Sequence, residues 1–400
     1  MRKAWKRVPL GAITEEQSVR VGDLADEAVV LSSTKHHGLV RSDEYFKNRQ
    51  IYSDDISGYK LVRKGWFAYA TNHLTEGSIG LQELVDLACV SPIYTVFSCS
   101  PEVDENFMYR VLKSDKLLSD YGLHDQASVD RRGAVRYRDF KQIEVSLPPL
   151  TEQRRIAEVL DEMDTQIRQS LTRQDKLRVV AAAETAALMR SASEGESVEW
   201  TVLEAVAHIS SGVTLGNDEA GDGAVVLPYL RVANVQDGYI DTSEVKTVAV
   251  RSSDVDRFSL AKGDVLLTEG GDLDKLGRGG VWDGRIDPCL HQNHVFKVRC
   301  HPAVYRPDFL ASYLASPRGK SYFLSVAKQT TNLASINSSQ VKKTPVPIVP
   351  LEEQERVVAS VTEWKEQLAS ASRDIEKLRL LRSALLDDLL TGRVRVPTNA

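Results

Sequence analysis

A chain of 400 residues with 42% hydrophobic and 27% charged residues has the composition of an ordinary globular protein, with room for roughly two to four domains. No stretch is apolar enough to span a membrane, and Met1-Arg2-Lys3-Ala4-Trp5-Lys6-Arg7 is followed by no apolar run of signal-peptide length, so membrane and secreted classes are not expected. A net charge of −5 excludes a uniformly basic nucleic-acid binder; DNA binding requires basic residues gathered on one face, or a partner that shares the phosphate contacts.

In chain order, a first body is expected over residues 1–148. Trp5 to Ile13 reads as an opening segment, and His36 to Arg49 as a mixed-charge loop with Tyr45 and Phe46 among basic residues. Leu61 to Tyr69 reads as a turn at Lys64-Gly65 running into a strand, and Ser91 to Phe97 as a second β-rich run. Phe107 to Leu118 is helix-like. Arg131, Arg132, Arg136, Arg138 and Lys141 make the most basic window of the chain. Arginine both reads guanine edges and binds phosphate, so this window is either a DNA contact or a solvated face.

A helix over 149–192 follows, opened by Pro149-Leu150-Thr151-Glu152-Gln153-Arg154-Arg155-Ile156 with acidic residues in its first turn. The same opening returns as Pro350-Leu351-Glu352-Glu353-Gln354-Glu355-Arg356-Val357, an offset of 201 residues, and Lys176-Leu177-Arg178 maps at that offset onto Lys377-Leu378-Arg379. The chain is thus two tandem copies of one unit, a globular body and then a long helix. Between the helices lies a second body, over 193–349, set off by the Ser/Ala/Glu/Gly stretch 191–197. In it Leu260 to Leu267 resembles Leu61 to Ala68 in layout, and His291-Gln292-Asn293-His294-Val295-Phe296 falls where Ser91 to Phe97 falls in the first copy. Phe309 to Ser325 is helix-like and Asn332 to Ser339 a polar loop. The second helix spans 350–392, closed by Thr391-Gly392, before a tail at 393–400.

Apolar positions recur at spacings of four and three. They are Ile156, Leu160, Met163, Ile167, Leu177, Ala181 and Leu188 in the first helix. In the second they are Val357, Val361, Trp364, Leu368, Ala371, Ile375, Leu378, Leu385 and Leu389. Ser170 and Gln174 interrupt the first seam at positions where polar side chains fix register. About 40 residues at 1.5 Å each make a rod of ~60 Å. Each helix packs on its own body, or the two pair as a coiled coil, antiparallel if a pseudo-twofold axis relates the copies.

No catalytic constellation stands out: no phosphate-binding glycine loop, no dinucleotide fingerprint, no His-Glu-x-x-His. Cys89, Cys99, Cys289 and Cys300 show neither CxxC nor zinc spacing and read as free thiols of a reducing compartment. His291 and His294 do not follow a zinc pattern and fit local hydrogen bonding or a groove lining. Thr268-Glu269-Gly270-Gly271-Asp272 has two carboxylates that would repel phosphate, so it reads as a loop between strands.

Taken together, the two Pro-Leu-x-Glu-Gln-x-Arg helix openings, Leu227-Pro228-Tyr229-Leu230-Arg231-Val232-Ala233-Asn234-Val235, Lys262-Gly263-Asp264-Val265-Leu266, the Thr268–Asp272 stretch and His291 to Phe296 resemble the DNA-specificity subunits of Type I restriction-modification systems. In the first copy Trp66 stands where the family pattern has aspartate after the glycine. The resemblance implies an α+β chain: two tandem α/β target-recognition domains, separated by two long helices that pair as an antiparallel coiled coil. Each domain would read half of a bipartite target in double-stranded DNA, with the helices as a ruler between half-sites. It implies a cytoplasmic, non-catalytic subunit without a cofactor of its own, docking two modification subunits that carry S-adenosylmethionine and methylate adenine, joined by two restriction subunits. The competing reading is a coiled-coil protein-interaction scaffold that binds no DNA. Loop residues with bidentate or aromatic side chains are the expected DNA contacts: Arg41, Tyr45, Lys47, Arg49, Arg131, Arg132 and Arg136 in the first body, and Thr214, Arg231, Asn234, Gln236, Arg278, Gln329 and Asn332 in the second.

Overall fold

The computed structural model describes residues 5–47, 49–124, 134–193, 198–214, 223–271, 276–329 and 334–397. They form two compact units, one of Met1–Leu171 with Arg373–Ala400, the other of Thr172–Ser372. Two long helices, Leu150–Ser193 and Leu351–Thr391, each contribute one part to each unit.

The first unit holds a four-stranded antiparallel sheet in the order Thr14–Glu16, Tyr94–Cys99, Phe67–Ala70, Ile79–Leu81. Beside it lies a sheet ordered Gly38–Arg41, Val29–Thr34, Leu87–Val90, Lys60–Arg63, in which Val29–Thr34 runs parallel to Leu87–Val90. Lys6–Pro9 pairs with Glu144–Leu147 and delivers the chain to the first long helix. Phe67 and Phe97, cross-strand partners, stack at 5.1 Å and pack with Tyr69 and Phe140 at the centre of the core. Aromatic pairs of this kind add to the value of their buried area.

The second unit repeats the plan. Ala207–Ser211, Val295–Cys300, Val265–Thr268 and Gly279–Val281 form the antiparallel sheet, and Ala224–Leu230 runs antiparallel to Lys246–Arg251 and parallel to Leu290–His291. Glu199–Val202 pairs with Pro345–Ile348, as the opening strand does in the first unit. The two layouts matched in sequence take the same local form. Gly65 and Gly263 both turn at positive φ (+83° and +94°) and donate their N–H to a backbone carbonyl of a neighbouring segment, that of Gln82 and that of Trp282. A side chain at either would be strained.

Several local expectations are corrected. His36 to Arg49 is not a loop throughout: Gly38–Arg41 is a strand and Ser42–Tyr45 a helical turn, because Ser42 is buried against the Ser32 hydroxyl. Phe107 to Leu118 is split into Glu105–Leu112 and Asp115–Leu123, since the Ser114 hydroxyl caps the second helix. Phe309 to Ser325 splits likewise, into Pro307–Ala315 and Pro317–Val326, where Pro317 lacks an N–H and Ser316 caps. In the basic window, Tyr137–Phe140 is helical because Phe140 enters the core. Ala334–Ser335 is a strand paired with Gly270–Gly271, and Ser338–Lys342 a helix opened by an Asn337–Gln340 capping box.

The helix seam is as expected, and within each unit the helices run antiparallel. In the first unit, Arg382 makes two hydrogen bonds to Asp164 (2.8 and 3.1 Å) while Arg395, beyond the second helix, grips Glu152 (2.5 and 2.6 Å). In the second unit, the Gln174 amide donates to the Ser372 hydroxyl at 2.6 Å, and Met189 and Ala192 pack with Val357 and Val361. Gln174 is buried, so this polar pair favours one register. The conserved-looking opening has its own cause. Gln153 is fully buried; its Oε1 accepts from Asp104 N at 2.8 Å, and its Nε2 donates to the carbonyls of Glu102 (3.0 Å) and Pro148 (2.8 Å). Gln354 makes the same three bonds, with Arg306 N, Val304 O and Val349 O. The glutamine latches each helix to the loop before the unit's helical pair.

The four cysteines are free, and burial pushes the Cys89 thiol up to about 11 and those of Cys99, Cys289 and Cys300 to about 12. At neutral pH they are protonated and inert as nucleophiles.

Candidate nucleic-acid interface

In the first unit the turn Ser42–Tyr45 brings Tyr45, Lys47 and Arg49 to one exposed tip. Tyr45 stands edge-on to Phe46 at 5.0 Å and to His37 at 6.2 Å. Lys47 adopts a left-handed backbone (φ +52°), uncommon for a residue with a side chain. Arg41 is engaged within this turn, with Glu44 at 2.9 Å and Asp43 at 3.7 Å. Arg136 is exposed elsewhere, at the start of Tyr137–Phe140. Arg131, Arg132 and Asn332 lie outside the described residues.

In the second unit Arg231, Asn234 and Gln236 come together in the turn after Ala224–Leu230. Asn234 is the turn's organiser: it is 4% exposed, its Oδ1 accepts from Arg231 N, and its Nδ2 donates to the carbonyls of Asp241 and Glu244, each at 2.9 Å. Its amide is thus committed to bonds within the turn. Arg231 reaches Glu244 at 3.1 Å, and Gln236 donates to Ala233 O at 2.7 Å. Arg278 is half-buried, its carbonyl accepting from Thr268 N, and Gln329 is exposed on the short strand Lys328–Gln329.

Thr214 opens onto a polar cleft of about 1010 Å³, whose other walls include Ser210, Arg251, Arg257, Asn293 and Lys297. The cleft follows from strand register. Lys297 pairs with Ser210 on one neighbouring strand and Leu266 on the other, and donates to the carbonyls of Arg257 (3.0 Å) and Ser259 (2.9 Å). Burial lowers the pKa of its ammonium from the ordinary lysine value. Two residues on, Arg299 grips the buried Asp264 with two hydrogen bonds of 2.7 Å, and this bond raises the arginine's pKa. Asp264 Oδ2 also accepts from Ala261 N at 2.7 Å. Lys297 and Arg299 were not singled out in the sequence; the available signal was two basic side chains on alternate positions of an otherwise apolar strand, Val295 to Cys300.

The first unit has different chemistry at the equivalent positions. Val96, Ser98 and Trp66 stand for Lys297, Arg299 and Asp264, and Trp66 is covered by the Arg63 guanidinium at 5.8 Å. Asp264→Ala is expected to destabilise the second unit by about 2 kcal/mol, since the half-exposed Arg299 rehydrates but Ala261 N loses its acceptor. Urea unfolding followed by unit-resolved hydrogen exchange checks this, and an unchanged second unit would remove the pair from the account.

His291 and His294 do not converge: His291 Nδ1 faces Val295 O at 2.7 Å, and His294 pairs with Glu269. Among the described residues no group of three or more His, Cys, Asp or Glu is placed to hold a metal, and no helix is long and apolar enough to cross a membrane.

Residues 43–178 match the family described as Type I restriction modification DNA specificity domain. The chain is 25% identical over 262 residues to the EcoKI specificity subunit of Escherichia coli K12, covering 61% of this chain and 54% of that one. It is 24% identical over 168 residues to a putative MjaX specificity subunit of Methanocaldococcus jannaschii, covering 42% and 40%. The matched stretch thus spans about half or less of these relatives' lengths. In fold it is similar to the HsdS subunit from Thermoanaerobacter tengcongensis, with TM-score 0.59, 18% identity and coverage of 98% and 97%. A chain from a study of complex assembly in the type I R-M system matches with TM-score 0.64, 19% identity and coverage of 98% and 100%.

Proposed function

We propose, from the premise that this chain belongs to the Type I restriction-modification specificity family, that it is the subunit that gives such a system its DNA sequence. Each body reads one half of a bipartite, asymmetric target in double-stranded DNA. The paired long helices set the gap and dock two modification subunits. The chain is non-catalytic and cytoplasmic in this reading. S-adenosylmethionine and adenine methylation belong to the modification subunits, and cleavage to two restriction subunits.

One observation carries the reading: the same body is built twice, with unlike side chains at equivalent positions, Asp264, Lys297 and Arg299 against Trp66, Val96 and Ser98. Two copies of one scaffold with different polar surfaces suit two different half-sites. The net charge of −5 fits subunits that share the phosphate load with partners.

The test is a map of methylated adenines in cells expressing the chain with its modification subunit. A split motif with two defined halves and a fixed gap is expected. No new methylation from an assembled complex would favour the DNA-free scaffold. Arg257→Ala, on the rim of the second unit's cleft, and Tyr45→Ala, at the first unit's tip, are each expected to relax one half-site by about tenfold and leave the other intact. A variant that weakens both halves equally, or neither, removes that residue from base reading.

A further inference from the structure

The two long helices are repeats at the 201-residue offset, so a second copy of either would fit in the other's place, and only side chains on the seam can refuse it. The buried layers near the helix starts refuse nothing: Ile156 and Leu160 answer to Val357 and Val361, and all four are aliphatic. Four positions on each helix bring different chemistry to the seam. Asp164, Leu171, Gln174 and Ala181 in the first helix answer to Lys365, Ser372, Ile375 and Arg382 in the second.

Across the seam these eight residues are matched. In the first unit Asp164 holds Arg382 through two hydrogen bonds; in the second, Lys365 has Ala181 at the answering position, and both border one groove. In the second unit the buried Gln174 donates to the Ser372 hydroxyl; in the first, the answering positions hold Leu171 and the buried Ile375. No charge faces its own sign, polar meets polar, and apolar answers to apolar. Pairing like with like keeps the same positions and spoils these matches. Two copies of the first helix set Asp164 against Ala181 and the Gln174 amide against Leu171. Two copies of the second set Lys365 against Arg382, one cation on another, and Ser372 against Ile375. A buried amide without a partner and a like-charge contact both count against a pairing.

We propose that this arrangement is a recognition code, by which each long helix accepts the other and rejects a second copy of itself. The surface each helix offers fits a partner that carries the other helix's pattern, so two copies of this chain gain nothing by exchanging like helices. Gln174 acts against self-pairing of the first helix, and the Lys365–Arg382 repulsion against self-pairing of the second. The code resides in the helices alone and is independent of what the two bodies bind.

The test rewrites the code in the full-length chain. Lys365→Asp, Ser372→Leu, Ile375→Gln and Arg382→Ala give the second helix the first helix's pattern, so that like faces like within one chain. Asp164→Lys, Leu171→Ser, Gln174→Ile and Ala181→Arg do the converse. An eightfold variant carries both sets and restores all four matches with the two patterns exchanged. In urea unfolding, each fourfold variant is expected to lose about a hundredfold or more in the folding equilibrium constant, or not to fold. The eightfold variant is expected to return to within about tenfold of wild type. Losses caused by helix propensity, or by the sites one at a time, would instead accumulate and leave the eightfold variant the least stable of the three. An eightfold variant that is unfolded, or no more stable than the fourfold ones, overturns the inference. Fourfold variants as stable as wild type overturn it equally.

Discussion

Gln153→Ala is expected to destabilise the first unit by about 3 kcal/mol, and Gln354→Ala the second unit by the same amount. Each carboxamide makes three hydrogen bonds to backbone groups, two through the amide nitrogen and one through the oxygen. Alanine removes all three and leaves an N–H and two carbonyls without a partner in a site closed to water, at about 1 kcal/mol each. The effect should be confined to the unit that carries the substitution, because each glutamine's partners lie in its own unit. Hydrogen exchange in Glu105–Leu112 for one variant and Pro307–Ala315 for the other reads this directly. Loss below about 1 kcal/mol, or loss spread equally over both units, would count against the latch.

The second large effect is one of pH. His291 is fully buried, with Nδ1 on the Val295 carbonyl and no partner for Nε2 among the described residues. A second proton would sit on that Nε2 without an acceptor, beside Lys297 and Arg299, and burial pushes its pKa down to about 4 from 6.5. The unfolded chain therefore binds this proton more readily than the folded one. Stability from His291 is complete above pH 6.5 and is lost as pH falls from there to about 4, a difference of about 3 kcal/mol. Carboxylates titrate in part of the same range, so the informative quantity is the comparison with His291→Gln. Its amide keeps a donor for the Val295 carbonyl and has no proton to gain. The acid-induced loss in the second unit should be smaller in that variant by about 3 kcal/mol. Parallel pH profiles for the two proteins would show that His291 is not protonated on unfolding.

The sequence made the repeat legible because its helix openings are held by local contacts. Gln153 binds Pro148 O and Gln354 binds Val349 O, five residues back, so the motif carries its own structural reason. The turns at Lys64-Gly65 and Lys262-Gly263 were legible for the same reason, a positive φ that glycine satisfies cheaply. The polar cleft was not legible. Lys297 enters the cleft through strand pairing between Ala207–Ser211, Val265–Thr268 and Val295–Cys300, Arg257 through its carbonyl on the Lys297 ammonium, and Thr214 beside the Val213–Gln292 bridge, and contacts between such distant segments are not written in any one of them. Asn234's role in the turn was not legible because an asparagine in a polar loop has the same appearance whether it faces a ligand or ties the loop together.

The first unit is drawn from two segments that flank the second unit in sequence. Leu389 and Val396 lie in its core, and Arg395 joins Glu152 across 243 residues of sequence. The second unit is one uninterrupted segment, Thr172–Ser372. On a translating ribosome the order of emergence and the order of completion are therefore reversed. The first body leaves the exit tunnel before the second, yet its last core residues are made only after the later-made unit has all of its own chain. Until then the pocket awaiting Leu389 and Val396 is open, so the nascent first body is the part most exposed to chaperones and proteases.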